Sequence, residues 1–216
     1  MISCPESTLR QLLSGPIDSA ARPSPNSSCA TISPMPAYAY AILVAGWLLW
    51  MTPFALIKRS GNPAKHIDRR ARWGVVIVAI GYSLLWQGKF WLRHPQSWQM
   101  ILAIVFFALG ILLSWTSTRA LGRQWRIDAG LSSDHELIMA GPYRFVRHPI
   151  YTSMLCVLLA TGFVVTPLPL FLLAIVVFVF GTEIRVRIED KLLASQFGDT
   201  FQRYQENVPA YVPFLK

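Results

Sequence analysis

The chain has 216 residues, enough for one domain or two very small ones. It is 53% hydrophobic and 14% charged, against about 25% charged in an ordinary soluble domain, and its mean hydropathy is +0.41; these values exclude a disordered chain and argue against a water-soluble globule. The net charge of +9 would suit nucleic acid, but the charges sit between long apolar runs, as at a membrane surface, and no RNA- or DNA-binding motif is present.

Residues 1–36 are rich in Ser and Pro (Pro5, Pro16, Pro23, Pro25, Pro34, Pro36) and lack apolar periodicity. No basic start followed by an apolar core marks a signal peptide, so this stretch reads as a flexible leader with too little surface to bury. The cysteines, Cys4, Cys29 and Cys156, show no CxxC spacing, so neither a zinc site nor a disulfide framework is indicated. Cys156 lies in an apolar run and reads as a small packing residue.

A membrane-crossing helix needs about 20 largely uncharged residues. Ala37 to Ile57 meets this, with Pro53 near its end. Trp73 to Leu92 follows, with Lys89 placed to reach the headgroups, and Pro95 to Thr118 is the third candidate. The uncharged run from Pro149 to Thr182 spans roughly 50 Å as a helix, too long for one crossing. Thr166-Pro167-Leu168-Pro169 interrupts it, and two prolines that close remove donors and disfavour the helix before them. The expectation is an all-α membrane bundle of about five segments, the last two forming a hairpin that turns near Pro167. In domain terms, residues 37–118 supply three spans and residues 119–216 the hairpin and tail.

Charge orients the bundle. Lys58, Arg59, Lys65, Arg69, Arg70 and Arg72 follow the first span, offset by Asp68, and the stretch Arg119 to Arg147 is again basic. The loop around Lys89 and Arg93 carries little charge, and the hairpin tip carries none. Basic loops face the cytoplasm, which puts the N-terminus outside and the C-terminal tail inside.

Two polar stretches flank the hairpin. The first runs from Asp134 through Gly141-Pro142-Tyr143-Arg144 to Arg147-His148-Pro149-Ile150-Tyr151; Gly-Pro marks a turn, and Pro149 suits the first turn of a helix. The second is Glu183-Ile184-Arg185-Val186-Arg187-Ile188-Glu189-Asp190. Arg185 and Glu189, four apart, share a helix face, and a hairpin should bring that face to His148 and Tyr151. Simpler roles exist for each. Arg144 and Arg147 can be headgroup anchors, Tyr143 and Tyr151 interfacial aromatics, His148 a cap, and Glu183 with Arg187 a surface ion pair. Glu189 is harder to assign a simple role, because ionisable groups beside a membrane face are usually paired and functional.

Taken together, Gly141-Pro142-Tyr143-Arg144-x-x-Arg147-His148-Pro149-x-Tyr151, Arg185-x-x-x-Glu189-Asp190-x-x-Leu193, Phe197-Gly198-x-x-Phe201-x-x-Tyr204 and Val208-Pro209-Ala210-Tyr211-Val212-Pro213-Phe214 closely resemble the isoprenylcysteine carboxyl methyltransferase family. The similarity covers residues 110–216. Asp190 stands where that family usually has a second Glu, and Ser153 where a Gly is common. The resemblance implies an integral-membrane enzyme that uses S-adenosylmethionine, with its site between the C-terminal helices and a cytoplasmic tail. It implies cofactor contacts at His135, Glu136, Leu137, Ile138, Tyr143, His148, Pro149, Ile150, Tyr151 and Glu189, and a catalytic acceptor-side arginine at Arg185. A further contact between Gln124 and Ser133 aligns ambiguously and is not assigned.

The chemistry suits those roles. An aromatic face such as that of Tyr143 or Tyr151 attracts a sulfonium cation, and Glu189 and His148 offer an acceptor and a donor for its polar ends. A carboxylate acceptor is already ionised at neutral pH; it needs a cation to hold it, and Arg185 has the fork for a two-point grip. The expected partners are a lipophilic or prenylated acceptor and the lipid bilayer, with no nucleic acid. A phospholipid amine methyltransferase is an alternative, and its protonated acceptor would require a base. Others are a sterol-type NADPH reductase, for which no Gly-rich dinucleotide fingerprint is present, and a non-enzymatic membrane interaction protein.

Overall fold

The computed structural model describes residues 34–57, 66–67, 70–122, 130–131 and 136–211, with backbone alone at 66–67 and 130–131. The leader up to residue 33, His135 and most of the stretch from Gln124 to Ser133 lie outside the described residues.

The uncharged runs fold as helices where expected: α1 (Ala37–Leu56), α2 (Ala71–Leu85), α3 (Ser97–Leu121), α4 (Pro149–Val165) and α5 (Leu168–Phe197), followed by a short amphipathic α6 (Asp199–Asn207). The second run ends its α-helix early, at Leu85. The polar Gln87-Gly88-Lys89 interrupts it before a 3₁₀ turn at Phe90–Leu92. Counting that turn, four stretches are long and apolar enough to cross a membrane: Ala37–Leu56, Ala71–Leu92, Ser97–Leu121 and Leu168–Phe197. The remaining apolar helix, α4, has 17 residues, a length of about 25 Å.

α4 is also the central helix. It packs against α1, α2, α3 and α5, and Val157, Leu158, Ala160 and Val164 are fully buried, as suits a helix apolar on every side. Cys156 is buried in it. Its hydroxyls and carbonyls anchor neighbouring aromatics: Trp50 Nε1 donates to Ser153 Oγ at 3.1 Å, Trp47 Nε1 to Thr161 Oγ1 at 3.2 Å, and Tyr82 OH to the Met154 carbonyl at 2.7 Å. Ser153, where the resembled family commonly has glycine, thus ties α1 to α4.

Pro53 does not break α1, which continues to Leu56. A proline denies a hydrogen bond to the carbonyl four residues back, here that of Leu49, and Trp115 Nε1 on α3 donates to that oxygen at 3.2 Å. Replacing lost helix bonds this way is what an apolar solvent demands.

The hairpin turns at Thr166-Pro167, both in extended conformation, and Thr166 Oγ1 donates to the Leu85 carbonyl at 2.9 Å. Beyond the turn, α5 packs mainly along α2 and α4 mainly along α3. Glycine makes the α2–α5 seam possible. A Cβ at Gly181 would lie 2.8 Å from Val78 N and 2.9 Å from the Gly74 carbonyl oxygen, and one at Gly81 3.1 Å from Phe178 N. Backbones this close hold helices together where lipid offers no hydrophobic drive.

At the opposite end from the hairpin turn, His66–Ile67 pairs antiparallel with Gly130–Leu131. This two-residue bridge ties a point between α1 and α2 to a point after α3, in the two connections whose sequences are rich in Lys and Arg.

Candidate active site

The site is assembled where α4 begins and α5 leaves the apolar layer. A 3₁₀ turn at Gly141–Arg144 buries Tyr143, whose carbonyl accepts from Tyr204 OH of α6 at 2.6 Å. α6 can return to this position because Gly198, at φ +50, lets the chain turn sharply out of α5. Burial pushes the Tyr143 phenol well above its usual range, and that of Tyr204 to about 12, so both are neutral. The tail then runs beside the start of α4: the Arg147 and His148 amides donate to the Pro209 and Ala210 carbonyls at 2.8 and 3.0 Å. Thr152 Oγ1 donates to the Tyr211 carbonyl at 2.8 Å, and Tyr211 OH to Glu183 Oε2 at 2.9 Å.

His148 precedes Pro149 at the N-cap position, yet its side chain makes no capping bond. Its ring faces two carboxylates: Nε2 lies 2.9 Å from Asp190 Oδ1, and Nδ1 lies 3.6 Å from Glu189 Oε2. The second distance is an ion-pair separation, too long for a hydrogen bond. Arg147 Nη1 reaches Asp190 Oδ2 at 2.5 Å, and Arg147 Nε donates to the Val208 carbonyl at 3.0 Å.

One turn along α4, Tyr151 OH donates to Glu189 Oε1 at 2.5 Å and accepts from Arg185 Nε at 2.6 Å. Arg185 Nη2 donates to the same Glu189 oxygen at 3.1 Å, closing a triangle. The Arg185 guanidinium also stands 5.7 Å from the Tyr151 ring centre, so that aromatic face already carries a cation. The Arg185 side chain is 10% exposed and that of Glu189 23%: the triangle is nearly dry, with its carboxylate at the rim.

His148, Tyr151, Arg185 and Glu189 therefore meet as the sequence predicts. Pro149 is buried beneath them, and the half-buried Ile150 accepts Ser153 Oγ on its carbonyl at 2.7 Å. Tyr143 is near enough for its phenol to feel the Glu189 charge. Glu136 is exposed, with Leu137 and Ile138 half-buried. Arg147 and Asp190 belong to the cluster although sequence reasoning left them off the site; Asp190 beside Glu189 was the available signal. Glu183 pairs with the exposed Arg187 at 2.7 Å as expected, and it additionally anchors Tyr211.

A family model described as phospholipid methyltransferase matches residues 98–200. The chain is 28% identical over 166 residues to the protein-S-isoprenylcysteine O-methyltransferase of Schizosaccharomyces pombe, covering 68% of each chain. It is 29% identical over 121 residues to protein-S-isoprenylcysteine O-methyltransferase B of Arabidopsis thaliana, covering 55% of this chain and 61% of that one. It is 24% identical over 144 residues to the nickel-cobalt-cadmium resistance protein NccN of Alcaligenes xylosoxydans xylosoxydans, covering 66% of this chain and 63% of that one. The chain thus spans about two thirds of the length of these relatives. The helices are those of a multi-pass membrane protein, and the matching family model and two of these three relatives are methyltransferases. The chain is similar to the isoprenylcysteine carboxyl methyltransferases among these relatives.

Proposed function

We propose that the chain transfers a methyl group from S-adenosylmethionine to the carboxylate of a lipophilic, isoprenylcysteine-like acceptor, at the end of the bundle that its basic loops place in the cytoplasm. The observation that carries this reading is the Tyr151–Arg185–Glu189 triangle, a guanidinium held beside a rim carboxylate at the foot of an apolar bundle. The donor set fits the cofactor: Glu189 at the rim complements its ammonium end, Tyr143 adds an aromatic wall, and His148 is a further contact that the family resemblance implies. His135, Glu136, Leu137, Ile138, Pro149, Ile150 and Tyr151 complete the cofactor contacts that the family resemblance implies.

When bound, S-adenosylmethionine supplies an electrophilic methyl group: its carbon–sulfur bond breaks as a carboxylate oxygen bonds to that carbon, and the sulfur keeps the electron pair. The acceptor has a pKa near that of an α-carboxyl, ~3.3–3.7, so no residue has to remove a proton. The chain's task is to orient. Arg185, fixed through Nε by Tyr151, presents its guanidinium to the acceptor carboxylate, and positioning of this kind supplies much of the rate of a displacement. The apolar helices let a lipid tail approach sideways from the bilayer.

The phospholipid methyltransferase match favours a second reading, transfer to a lipid amine. That acceptor must be deprotonated, and His148 is the nearest candidate base. Both of its ring nitrogens face carboxylates, which leaves neither aimed at an incoming amine. The carboxylate reading therefore fits better.

Purified protein titrated with S-adenosylmethionine and with NADPH tests the class; binding of the first alone is expected. Methyl transfer is then measured to an S-prenylcysteine whose amine is acetylated, so that only the carboxylate can accept. Transfer to phosphatidylethanolamine alone would overturn the acceptor assignment, and NADPH binding alone the enzyme class.

A further inference from the structure

Hydroxyls inside helices ordinarily satisfy themselves on the carbonyl three or four residues back. Those of Ser114, Thr118, Ser153 and Thr161, all buried, do so here, at 2.9, 2.7, 2.7 and 2.8 Å. Thr182 does not. It is 2% exposed, and its hydroxyl has no hydrogen-bond partner. Among the described residues only Ser117 shares this state, and it lies on α3, which contributes nothing to the cluster. An unpaired buried hydroxyl costs stability, and a valine of the same shape would remove that cost. Such a group in a native structure calls for an explanation, and a polar partner that arrives from outside the chain is one.

The place of Thr182 says which ligand. Thr182, Arg185 and Glu189 are spaced i, i+3, i+7, one stripe of α5. Thr182 lies ~4.5 Å along the axis from Arg185, on the side away from Glu189 and toward the apolar interior. The cofactor contacts proposed above, Glu189 and His148, lie on the other side of Arg185. A lipid-borne carboxylate, with its tail among the helices, reaches Arg185 past Thr182.

We infer that Thr182 is a second acceptor-binding residue, its hydroxyl donating to the acceptor carboxylate beside Arg185. This rests on the carboxylate-acceptor reading above. Carboxylate charge declines as its oxygen bonds to the methyl carbon, so a donor here grips the ground state at least as firmly as the transition state. Its loss therefore appears in acceptor affinity and KM, while kcat changes little.

The test uses the full chain in detergent, with Thr182→Val, which removes the hydroxyl and keeps the shape, and Thr182→Ser, which keeps the hydroxyl. Three quantities are measured: thermal midpoint, S-adenosylmethionine affinity, and affinity for the N-acetylated S-prenylcysteine with S-adenosylhomocysteine bound, beside KM and kcat. Thr182→Val is expected to melt at or above the wild-type midpoint and to bind S-adenosylmethionine as wild type does. It should lose acceptor affinity by roughly tenfold to a hundredfold, the range for a hydrogen bond to a charged group. Thr182→Ser should restore most of that loss. Wild-type acceptor affinity in Thr182→Val overturns the inference while leaving the carboxylate reading intact, and so does a loss confined to S-adenosylmethionine. A wild type that binds S-adenosylmethionine and methylates amines alone overturns both.

Discussion

Asp190 sits 2.5 Å from Arg147 Nη1 and 2.9 Å from His148 Nε2, so one carboxylate on α5 pins both residues that lead into α4. The same two residues are held from the other side through their amides by the Pro209 and Ala210 carbonyls. The start of α4 is thus clamped between α5 and the tail, which sets His148 and, one turn on, Tyr151 against Glu189.

That clamp has a measurable strength. The Arg147 and Asp190 side chains are 10% and 13% exposed, and removing one member of a nearly buried pair strands the other charge. Asp190→Ala should cost about 3–5 kcal/mol, read as a fall in the thermal midpoint in detergent. Asp190→Glu, which keeps the charge, should recover most of it. An Asp190→Ala variant that melts with wild type would mean the pair contributes nothing to stability.

The cofactor contacts predict a different pattern. Glu189→Ala removes a carboxylate at the rim of the site, and His148→Ala removes one of the two side chains on Asp190 while leaving Arg147 paired with it. They should stay folded while losing S-adenosylmethionine affinity by roughly tenfold to a hundredfold, as for charge-assisted hydrogen bonds. Titration of both variants checks this, and wild-type affinity in both would move the cofactor site elsewhere.

The spans and the turn at Thr166-Pro167 were legible because charge and proline punctuate the apolar runs. The meeting of Tyr151 with Arg185 and Glu189 followed from the hairpin. Which face of each helix packs inward was not legible. In lipid the outward residues are as apolar as the inward ones, so periodicity carries little information: Leu48, Ile101 and Val176 are exposed while Leu43, Ala103 and Phe178 are buried. The Gly74–Gly181 seam, the Trp50–Ser153 bond and the pairing of the tail with Arg147 join residues far apart in sequence, and no local pattern announces them. Thr182 enters the sequence reading only as the last residue of an uncharged run.

The seam predicts a separable effect. A Cβ at Gly81 meets α5 backbone, at 3.1 Å from Phe178 N, whereas one at Gly74 also meets Arg185 Cγ at 2.5 Å and the Gly181 carbonyl oxygen at 2.7 Å. Both alanine variants should lose stability by about 1–3 kcal/mol, as overpacking does. Gly74→Ala should in addition lower methyl transfer at temperatures where both are folded, because it displaces the Arg185 stem. Equal turnover in the two would show that α2 does not position Arg185.

Orientation follows from charge. The bridge pairs His66–Ile67 with Gly130–Leu131, in the two connections whose sequences are basic, and positive loops stay in the cytoplasm. A reporter fused after Lys216 should be cytoplasmic, and one at Met1 outside. Both ends on one side would defeat the five-segment topology.

Arg185 carries the last prediction. Its Nε is held by Tyr151 and its Nη2 by Glu189, so it is aimed by the chain before any acceptor arrives. Arg185→Ala removes the cation that holds the acceptor carboxylate but leaves the Tyr151–Glu189 bond in place. S-adenosylmethionine affinity should therefore change far less than transfer. Truncating one partner of a buried charge pair costs about 2–5 kcal/mol, so kcat/KM for the S-prenylcysteine should fall by about 10²–10³, chiefly through acceptor binding. Arg185→Lys should recover only part, because a single ammonium cannot bond Tyr151 and Glu189 and still present a planar pair of donors to a carboxylate. Transfer and cofactor titration on wild type, Arg185→Ala and Arg185→Lys separate the outcomes. Unchanged kcat/KM in Arg185→Ala would remove Arg185 from the acceptor site, and a cofactor affinity that falls as far as transfer would place it on the cofactor side.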